Sequence, residues 1–121
     1  WSGHVTSWVD QPNIPVHMMR YEDMRKEPLE TFLKAVNVLN LKVEEDQVKK
    51  ALEQSDLKVL QDQEHEKGFK EKMIRADRFF RKGQVGEWRE VLTEEQVDTV
   101  VRQHKQVMQR FGYLDENGKL L

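Results

Sequence analysis

Basic residues concentrate in one stretch of this 121-residue sequence, between Lys67 and Arg89. Eight Lys or Arg side chains stand there against three Asp or Glu, whereas the whole chain carries a net charge of −2. Such a local excess of positive charge predicts either a solvated surface loop or a site for an anion. Because the total charge is close to balanced, we expect neither nucleic acid nor a membrane surface as the partner.

Within that stretch, the run Arg81-Lys82-Gly83-Gln84-Val85-Gly86-Glu87-Trp88 has the residue types of a phosphate or sulfate loop. The guanidinium of Arg81 can donate two parallel hydrogen bonds to an oxyanion. Gly83 allows a positive φ, so that successive backbone N–H groups can converge on the anion. Gly86 provides a second turn, and Trp88 can anchor the loop on the core. The spacing matches neither a Walker A motif nor a dinucleotide-binding fingerprint.

The other reactive side chains predict no catalytic residue and no metal site in this chain. There is no cysteine, which excludes disulfides and thiol catalysis and suits a reducing compartment. The four histidines share no ligand spacing, and residues 115–118 lack the terminal Glu of a calcium loop. Tyr21, Glu22 and Asp23 are adjacent, and we interpret the two carboxylates as positioning groups for the next helix.

The elements that must hold the basic stretch are mostly helical. Apolar spacing and capping residues predict five helices, over residues 2–10, 28–39, 44–54, 57–63 and 94–111. Residues 65–80 have weak periodicity and are predicted to be a loop with helical turns. No run of apolar residues is long enough for a transmembrane helix, and no signal-peptide pattern opens the chain.

One segment, Ile14 to Tyr21, is nearly continuous in apolar residues and is typical of a strand buried on both faces. A single strand leaves its backbone N–H and C=O groups unpaired. The strand would therefore pair with a partner chain, or the chain would be the end of a larger α/β protein. We favour the second interpretation, and a start at Trp1 without Met agrees with it.

The segment from Phe79 to Arg89 resembles a signature of the cytosolic-type sulfotransferases. That signature consists of Arg-Lys-Gly, two variable residues, Gly-Asp-Trp and a basic residue, with Glu87 standing here for the Asp. Residues 3–8, 16–28 and 53–61 resemble other segments of the family in the same order. The resemblance covers residues 1 to about 114.

The resemblance implies a parent protein of α/β class, with the three-layer, P-loop-like sulfotransferase fold. This chain, residues 1–121, would be a single C-terminal segment of that domain, mainly α-helical with one short strand and a loose tail over residues 114–121. The parent would be a cytoplasmic enzyme that transfers a sulfuryl group from 3′-phosphoadenosine 5′-phosphosulfate to a small hydroxyl or amine acceptor. The family's catalytic histidine and 5′-phosphosulfate loop would lie upstream in the same domain, so this chain would be inactive alone.

The resemblance also implies which residues bind the donor. Arg81 and the backbone of Lys82 and Gly83 would hold the 3′-phosphate, and Tyr21 would lie beside the adenine. The family's adenine-contacting Thr/Ser-Ser-Phe segment corresponds to Ser55, Asp56 and Leu57, so the sequence departs from that pattern at its second and third positions.

A second interpretation needs no enzyme. The chain could be a small helical interaction module whose basic loop binds an acidic partner. Preference for 3′-phosphorylated adenine nucleotides would favour the enzyme, whereas salt-sensitive binding of any polyanion would favour the module.

Overall fold

The computed structural model describes residues 1–73 and 75–121. Ile74, within the predicted loop over residues 65–80, lies outside the described residues. The described residues form seven helices: α1 (Ser2–Val9), α2 (Tyr21–Lys26), α3 (Pro28–Val38), α4 (Glu45–Gln54), α5 (Leu57–Lys67), α6 (Trp88–Val91) and α7 (Glu94–Arg110). Their contacts group into two compact units, Trp1–Met18 with Gly86–Leu121, and Met19–Val85.

In the first unit, α1 packs against α7. The Ser2 hydroxyl and the His104 Nδ1 atom are 2.8 Å apart, and the Trp1 ring meets the His104 ring edge-on. At the other end of α1, Arg110 donates to the Asp10 carboxylate at 2.6 Å, which lowers the pKa of Asp10. The two helices are thus held by polar contacts at both ends of α1.

The C-terminal residues fold back in the same unit. Leu114 is only 3% exposed and forms an antiparallel bridge with Leu120. The Asp115 carboxylate accepts a hydrogen bond from the Lys119 N–H at 2.8 Å. The segment over residues 114–121, for which the sequence predicts a loose tail, therefore has one buried side chain and its own hydrogen bonds.

In the second unit, α2 packs against α3, and α3 packs against α4. The predicted start of α3 at Pro28 is confirmed, and Asn40 after this helix has a φ of +51°. The structure adds a capping box of Glu44 and Gln47 at the start of α4. Val48 of α4 is buried, at 5% exposure.

The predicted strand over residues 14–21 is wrong for the described chain. Residues 14–20 are irregular, and Tyr21 instead begins α2. The described residues contain no sheet, and their single β-bridge joins Leu114 to Leu120. A strand needs a neighbour for its backbone groups, and without one the apolar side chains of Ile14 and Val16 remain 60% and 44% exposed.

The sequence analysis did not predict α2 and α6. Helix α5 is longer than predicted, because it continues to Lys67 rather than ending at Gln63. The helix over residues 94–111 is confirmed as α7, and Gly112 follows it with a φ of +71°.

The N-terminus of α7 gives a direct test of local stability. The Thr93 hydroxyl accepts from the Gln96 N–H at 3.3 Å, and the Gln96 side chain accepts from the Thr93 N–H at 2.9 Å. Replacing Thr93 by Ala should lower the free energy of unfolding by about 1 kcal/mol, because a first-turn N–H loses its acceptor. Chemical denaturation monitored by circular dichroism measures the change.

Thr99→Ala is the matched control, since the Thr99 hydroxyl donates to the Glu95 carbonyl inside the same helix. Alanine has the better helix propensity, so this variant should be neutral or slightly more stable. Equal destabilisation by both substitutions would contradict a capping role for Thr93.

Candidate anion-binding site

The basic loop, which we define as residues 79–83, lies against α5. This helix begins because the Asp56 carboxylate accepts from the Lys58 N–H at 2.9 Å, and it ends before Gly68, whose φ is +70°. Its half-buried residues follow helical spacing, one, four, five and eight positions along the helix, and they are Leu57, Leu60, Gln61 and Glu64. The inward stripe of α5 is therefore apolar at its start and polar at its end.

The polar half of this stripe bonds to the backbone of the basic loop. One carboxylate oxygen of Glu64 accepts from the Phe79 N–H at 2.7 Å, and the other accepts from the Phe80 N–H at 3.0 Å. The side-chain amide of Gln61 donates to the carbonyl of Phe80 at 3.2 Å and to that of Arg81 at 2.6 Å. Two side chains one turn apart thus satisfy four backbone groups of residues 79–81.

Aromatic packing covers the beginning of the loop. The Phe69 ring lies 4.5 Å from the Phe79 ring and 5.1 Å from the Phe80 ring, and the last two are 5.0 Å apart, measured between ring centroids. Edge-to-face and tilted contacts at these distances are favourable. They pack the same residues whose N–H groups donate to the Glu64 carboxylate.

The end of the loop turns at Gly83. Its φ of +59° lies in the left-handed region, and a Cβ at this position would be 2.7 Å from a methyl group of Leu57. The backbone conformation therefore favours glycine, and a larger residue would also displace the Leu57 side chain. A left-handed residue that follows a right-handed helical one turns successive N–H groups to the same side, which is the arrangement of an anion-binding concavity.

The second half of the basic run belongs to the other compact unit, which contains Gly86 and Trp88. Gly86 also has a positive φ, of +82°, and a Cβ there would be 2.8 Å from the Arg89 guanidinium. That guanidinium lies 4.3 Å from the centre of the Trp88 ring, and it donates to the Leu121 carbonyl. Trp88 is half-buried and begins α6.

The electrostatics of the loop centre on Glu64. The N–H of Phe79 lowers the pKa of the Glu64 carboxyl most strongly, with further lowering by Phe80, Lys72 and Arg78 that outweighs the opposing effect of burial. The carboxylate is therefore ionised under ordinary conditions, and it remains an acceptor for both N–H groups.

The structure brings some of the predicted donor-binding residues together. Arg81 and Lys82 are exposed, while Gly83 contacts Leu57. Ser55 and Asp56 lie just before Leu57 at the junction of α4 and α5, where the Ser55 hydroxyl donates to the Ala51 carbonyl. The Asp56 carboxylate is used as the cap of α5.

Tyr21 is not brought to this group by any hydrogen bond, ion pair or ring contact within the described residues. It begins α2, which packs against α3, and it is 44% exposed.

Sequence reasoning missed Gln61 and Glu64, the two residues that hold the loop. Their spacing from Leu57 was the available signal, because positions one, five and eight of a helix share a face. The sequence analysis ended this helix at residue 63, so it did not include Glu64 on the face that Leu57 and Gln61 share.

A polar cleft of about 450 Å³ also lies in this unit. It is lined by Gln61, Asp62, Glu64, His65, Lys72, Asp77 and Arg78, and not by Arg81 or Gly83. No group of three or more His, Asp or Glu suited to a metal ion occurs among residues 1–73 and 75–121. Within the same residues, no helix is both long and apolar enough to cross a membrane.

Comparison with known proteins assigns this chain to a family. The family model described as Sulfotransferase domain matches residues 1–112, so the chain belongs to the sulfotransferase domain family. Cytosolic sulfotransferase 10 of Arabidopsis thaliana is 34% identical over 107 residues, which are 83% of this chain and 32% of that protein. The chain thus spans about a third of the length of this relative. No solved structure matches this chain.

These matches confirm the resemblance to sulfotransferases that residues 79–89 indicate. The family implies an α/β fold for its whole domain, whereas the described residues of this chain are helical and irregular.

The contact between Gly83 and Leu57 can be tested with a pair of glycine variants. Both Gly83→Ala and Gly68→Ala place a side chain at positive φ, at a cost of roughly 1–2 kcal/mol of folding free energy. Only the first also displaces a neighbour, because nothing lies within 4 Å of a Cβ at Gly68. Methyl NMR spectra should therefore show shifted Leu57 signals in Gly83→Ala and unchanged ones in Gly68→Ala. Equal Leu57 shifts in both variants would contradict the described packing.

Proposed function

We propose that this chain is the part of a sulfotransferase that holds the 3′-phosphate of the donor nucleotide, 3′-phosphoadenosine 5′-phosphosulfate. The parent enzyme transfers the sulfuryl group to a hydroxyl or amine of a small acceptor. The observation that carries the proposal is the basic loop itself, with Arg81 and Lys82 exposed beside a glycine at positive φ. Membership of the sulfotransferase domain family supports the choice of donor.

The chemistry of the loop suits a phosphate monoester. Such a group carries between one and two negative charges near neutral pH, and a guanidinium can bond two of its oxygens at once. In the proposed site Arg81 supplies this fork, and the N–H groups of Lys82 and Gly83 donate to the remaining oxygen. The methyl groups of Leu57 provide an apolar surface next to Gly83, on the side where the resemblance expects the adenine.

The remaining donor contacts belong to the same proposal. Ser55 and Asp56 would lie along one edge of the adenine and Tyr21 along another. Because the Asp56 carboxylate caps α5, we assign it a positioning role and leave adenine recognition to its neighbours.

The catalytic groups lie outside this chain in our proposal. The chain spans 32% of the length of its Arabidopsis relative, and residues 14–18 expose apolar side chains that a sheet could cover. We propose that the upstream part of the same domain supplies that sheet, the 5′-phosphosulfate loop and the general base. The name of the relative supports a cytoplasmic location for the parent enzyme.

Arg81 gives the most direct test. Arg81→Ala should weaken binding of adenosine 3′,5′-bisphosphate by about 10- to 150-fold, the loss that corresponds to a charged hydrogen bond of roughly 1.5–3 kcal/mol. Binding of adenosine 5′-monophosphate, which lacks the 3′-phosphate, should change little. Arg81→Lys should recover part of the affinity, because the ammonium keeps the charge but not the fork. NMR titration of the 121-residue chain, followed at the Lys82 and Gly83 amides, measures all of these.

Lys70→Ala is the matched control, since it removes the same charge from the same basic stretch. It should leave the preference for the bisphosphate unchanged. If Lys70→Ala and Arg81→Ala weaken both nucleotides equally, the chain is the helical module with a non-specific anion-binding surface, and the proposed function is wrong.

A second test concerns activity. The purified chain should bind adenosine 3′,5′-bisphosphate weakly and should not transfer sulfate from the donor to a phenol, because it lacks the proposed general base. Transfer is measured by the appearance of the aryl sulfate. Turnover that is abolished by Arg81→Ala would show that catalytic groups are present in this chain.

A further inference from the structure

Successive residues of the basic loop contact successive positions of α5, from Glu64 back to Leu57. Glu64 bonds to residues 79 and 80, Gln61 to residues 80 and 81, and Leu57 contacts Gly83. The three helix positions span seven residues, or about 10 Å along the axis. Five residues span at most about 16–18 Å when fully extended, so the loop is long enough to follow this part of the helix, and its residues meet the three helix positions in reverse order. The loop therefore runs antiparallel to α5, and side chains of the helix take the place of a neighbouring strand.

The chemistry of the two polar residues is not interchangeable. Glu64 faces two N–H groups, and an ionised carboxylate offers two acceptor oxygens and no donor. Gln61 faces two carbonyl groups, and its NH₂ group offers two donors. Each side chain thus matches the polarity of the backbone groups opposite it, and exchanging the two would place an amide donor against an N–H and a carboxylate against carbonyls.

We propose that Glu64 and Gln61 are positioning residues of the donor-phosphate site, which fix the backbone of residues 79–81 so that Arg81 and the following amides face the phosphate. This inference rests on the proposed function and extends it to residues that touch neither nucleotide nor acceptor. The inference and simple electrostatics predict opposite effects of neutralising Glu64. If Coulomb energy alone mattered, removing this negative charge would remove a repulsion and strengthen anion binding. Loss of positioning weakens anion binding instead.

The surroundings of Glu64 set the pH range of this effect. The titratable and charged side chains that line the polar cleft together with Glu64 are Asp62, His65, Lys72, Asp77 and Arg78, of which Lys72 and Arg78 lower its pKa. The Phe79 N–H is the largest cause of its lowered pKa. A carboxyl whose pKa is lowered on folding keeps its contribution above the ordinary value of 4.5 and loses it as the pH falls through the lowered pKa.

The experiment compares four chains: the wild type, Glu64→Gln, the charge-neutral exchange Gln61→Glu with Glu64→Gln, and the control Glu66→Gln. Glu66 lies exposed on the same helix, and its substitution changes the net charge as Glu64→Gln does. Circular dichroism confirms the helix content of each. Binding is measured with adenosine 3′,5′-bisphosphate at neutral pH, and the backbone N–H signals of Phe79 and Phe80 are followed by NMR without ligand.

We expect Glu64→Gln and the exchange to weaken binding by about 2- to 10-fold, the change that corresponds to the loss of an ordinary hydrogen bond. Glu66→Gln should leave the affinity unchanged or slightly higher. In the wild type and in Glu66→Gln, the Phe79 and Phe80 signals should titrate with a midpoint below pH 4.5, and this titration should be absent in Glu64→Gln. Tighter binding by Glu64→Gln, or equal effects of Glu64→Gln and Glu66→Gln, would overturn the inference.

The ligand-free titration separates this inference from the function on which it rests. If the wild type shows no binding at Lys82 and Gly83, the proposed function fails, and the binding consequence fails with it. The Phe79 and Phe80 signals still decide whether Glu64 holds the loop. If they do not titrate with Glu64 in the wild type, the positioning role is wrong whatever the binding data show.

Discussion

The hydrogen bonds that the Phe79 and Phe80 amides donate to the Glu64 carboxylate fix the backbone of the basic loop against α5. Residues 79–83 form neither helix nor sheet, so their backbone groups need partners from elsewhere. Glu64 and Gln61 provide those partners from α5, and Gly83 provides the turn that leads the chain away from the helix. These bonds fix the backbone at and before the exposed residue Arg81.

This dependence on side-chain-to-backbone bonds reflects a thin apolar core. Among residues 1–73 and 75–121, Val48, Met108 and Leu114 are the only apolar side chains at or below 9% exposure. Trp8, Ile14 and Leu39 remain more than half exposed. Burial of apolar surface therefore contributes less here than in a well-packed domain. Capping boxes at α4 and α7 define the helix starts instead.

Much of the helical structure could be predicted from residues close together in the sequence. Pro28 marks the start of α3, and the Thr93 and Gln96 pair marks the start of α7. The residue types at Arg81 to Trp88 predict an anion site, and the same run resembles a signature of the sulfotransferases. The family match confirms the resemblance. The grouping of Leu57 with Gly83 was foreseen only through the resemblance, because 26 positions separate them in the chain.

The amino-acid sequence by itself determined features that depend on interactions within one or two turns. They include the starts of α3 at Pro28 and of α7 at Thr93, and the glycine at the turn of the loop. Only the tertiary structure decided which helix the loop follows, because Glu64 and Gln61 act on residues 15 to 20 positions away. It also decided the fate of residues 14–21, whose apolar pattern suits a strand. A strand is completed by hydrogen bonds to a neighbouring strand, and the described residues contain no sheet in which residues 14–21 could pair.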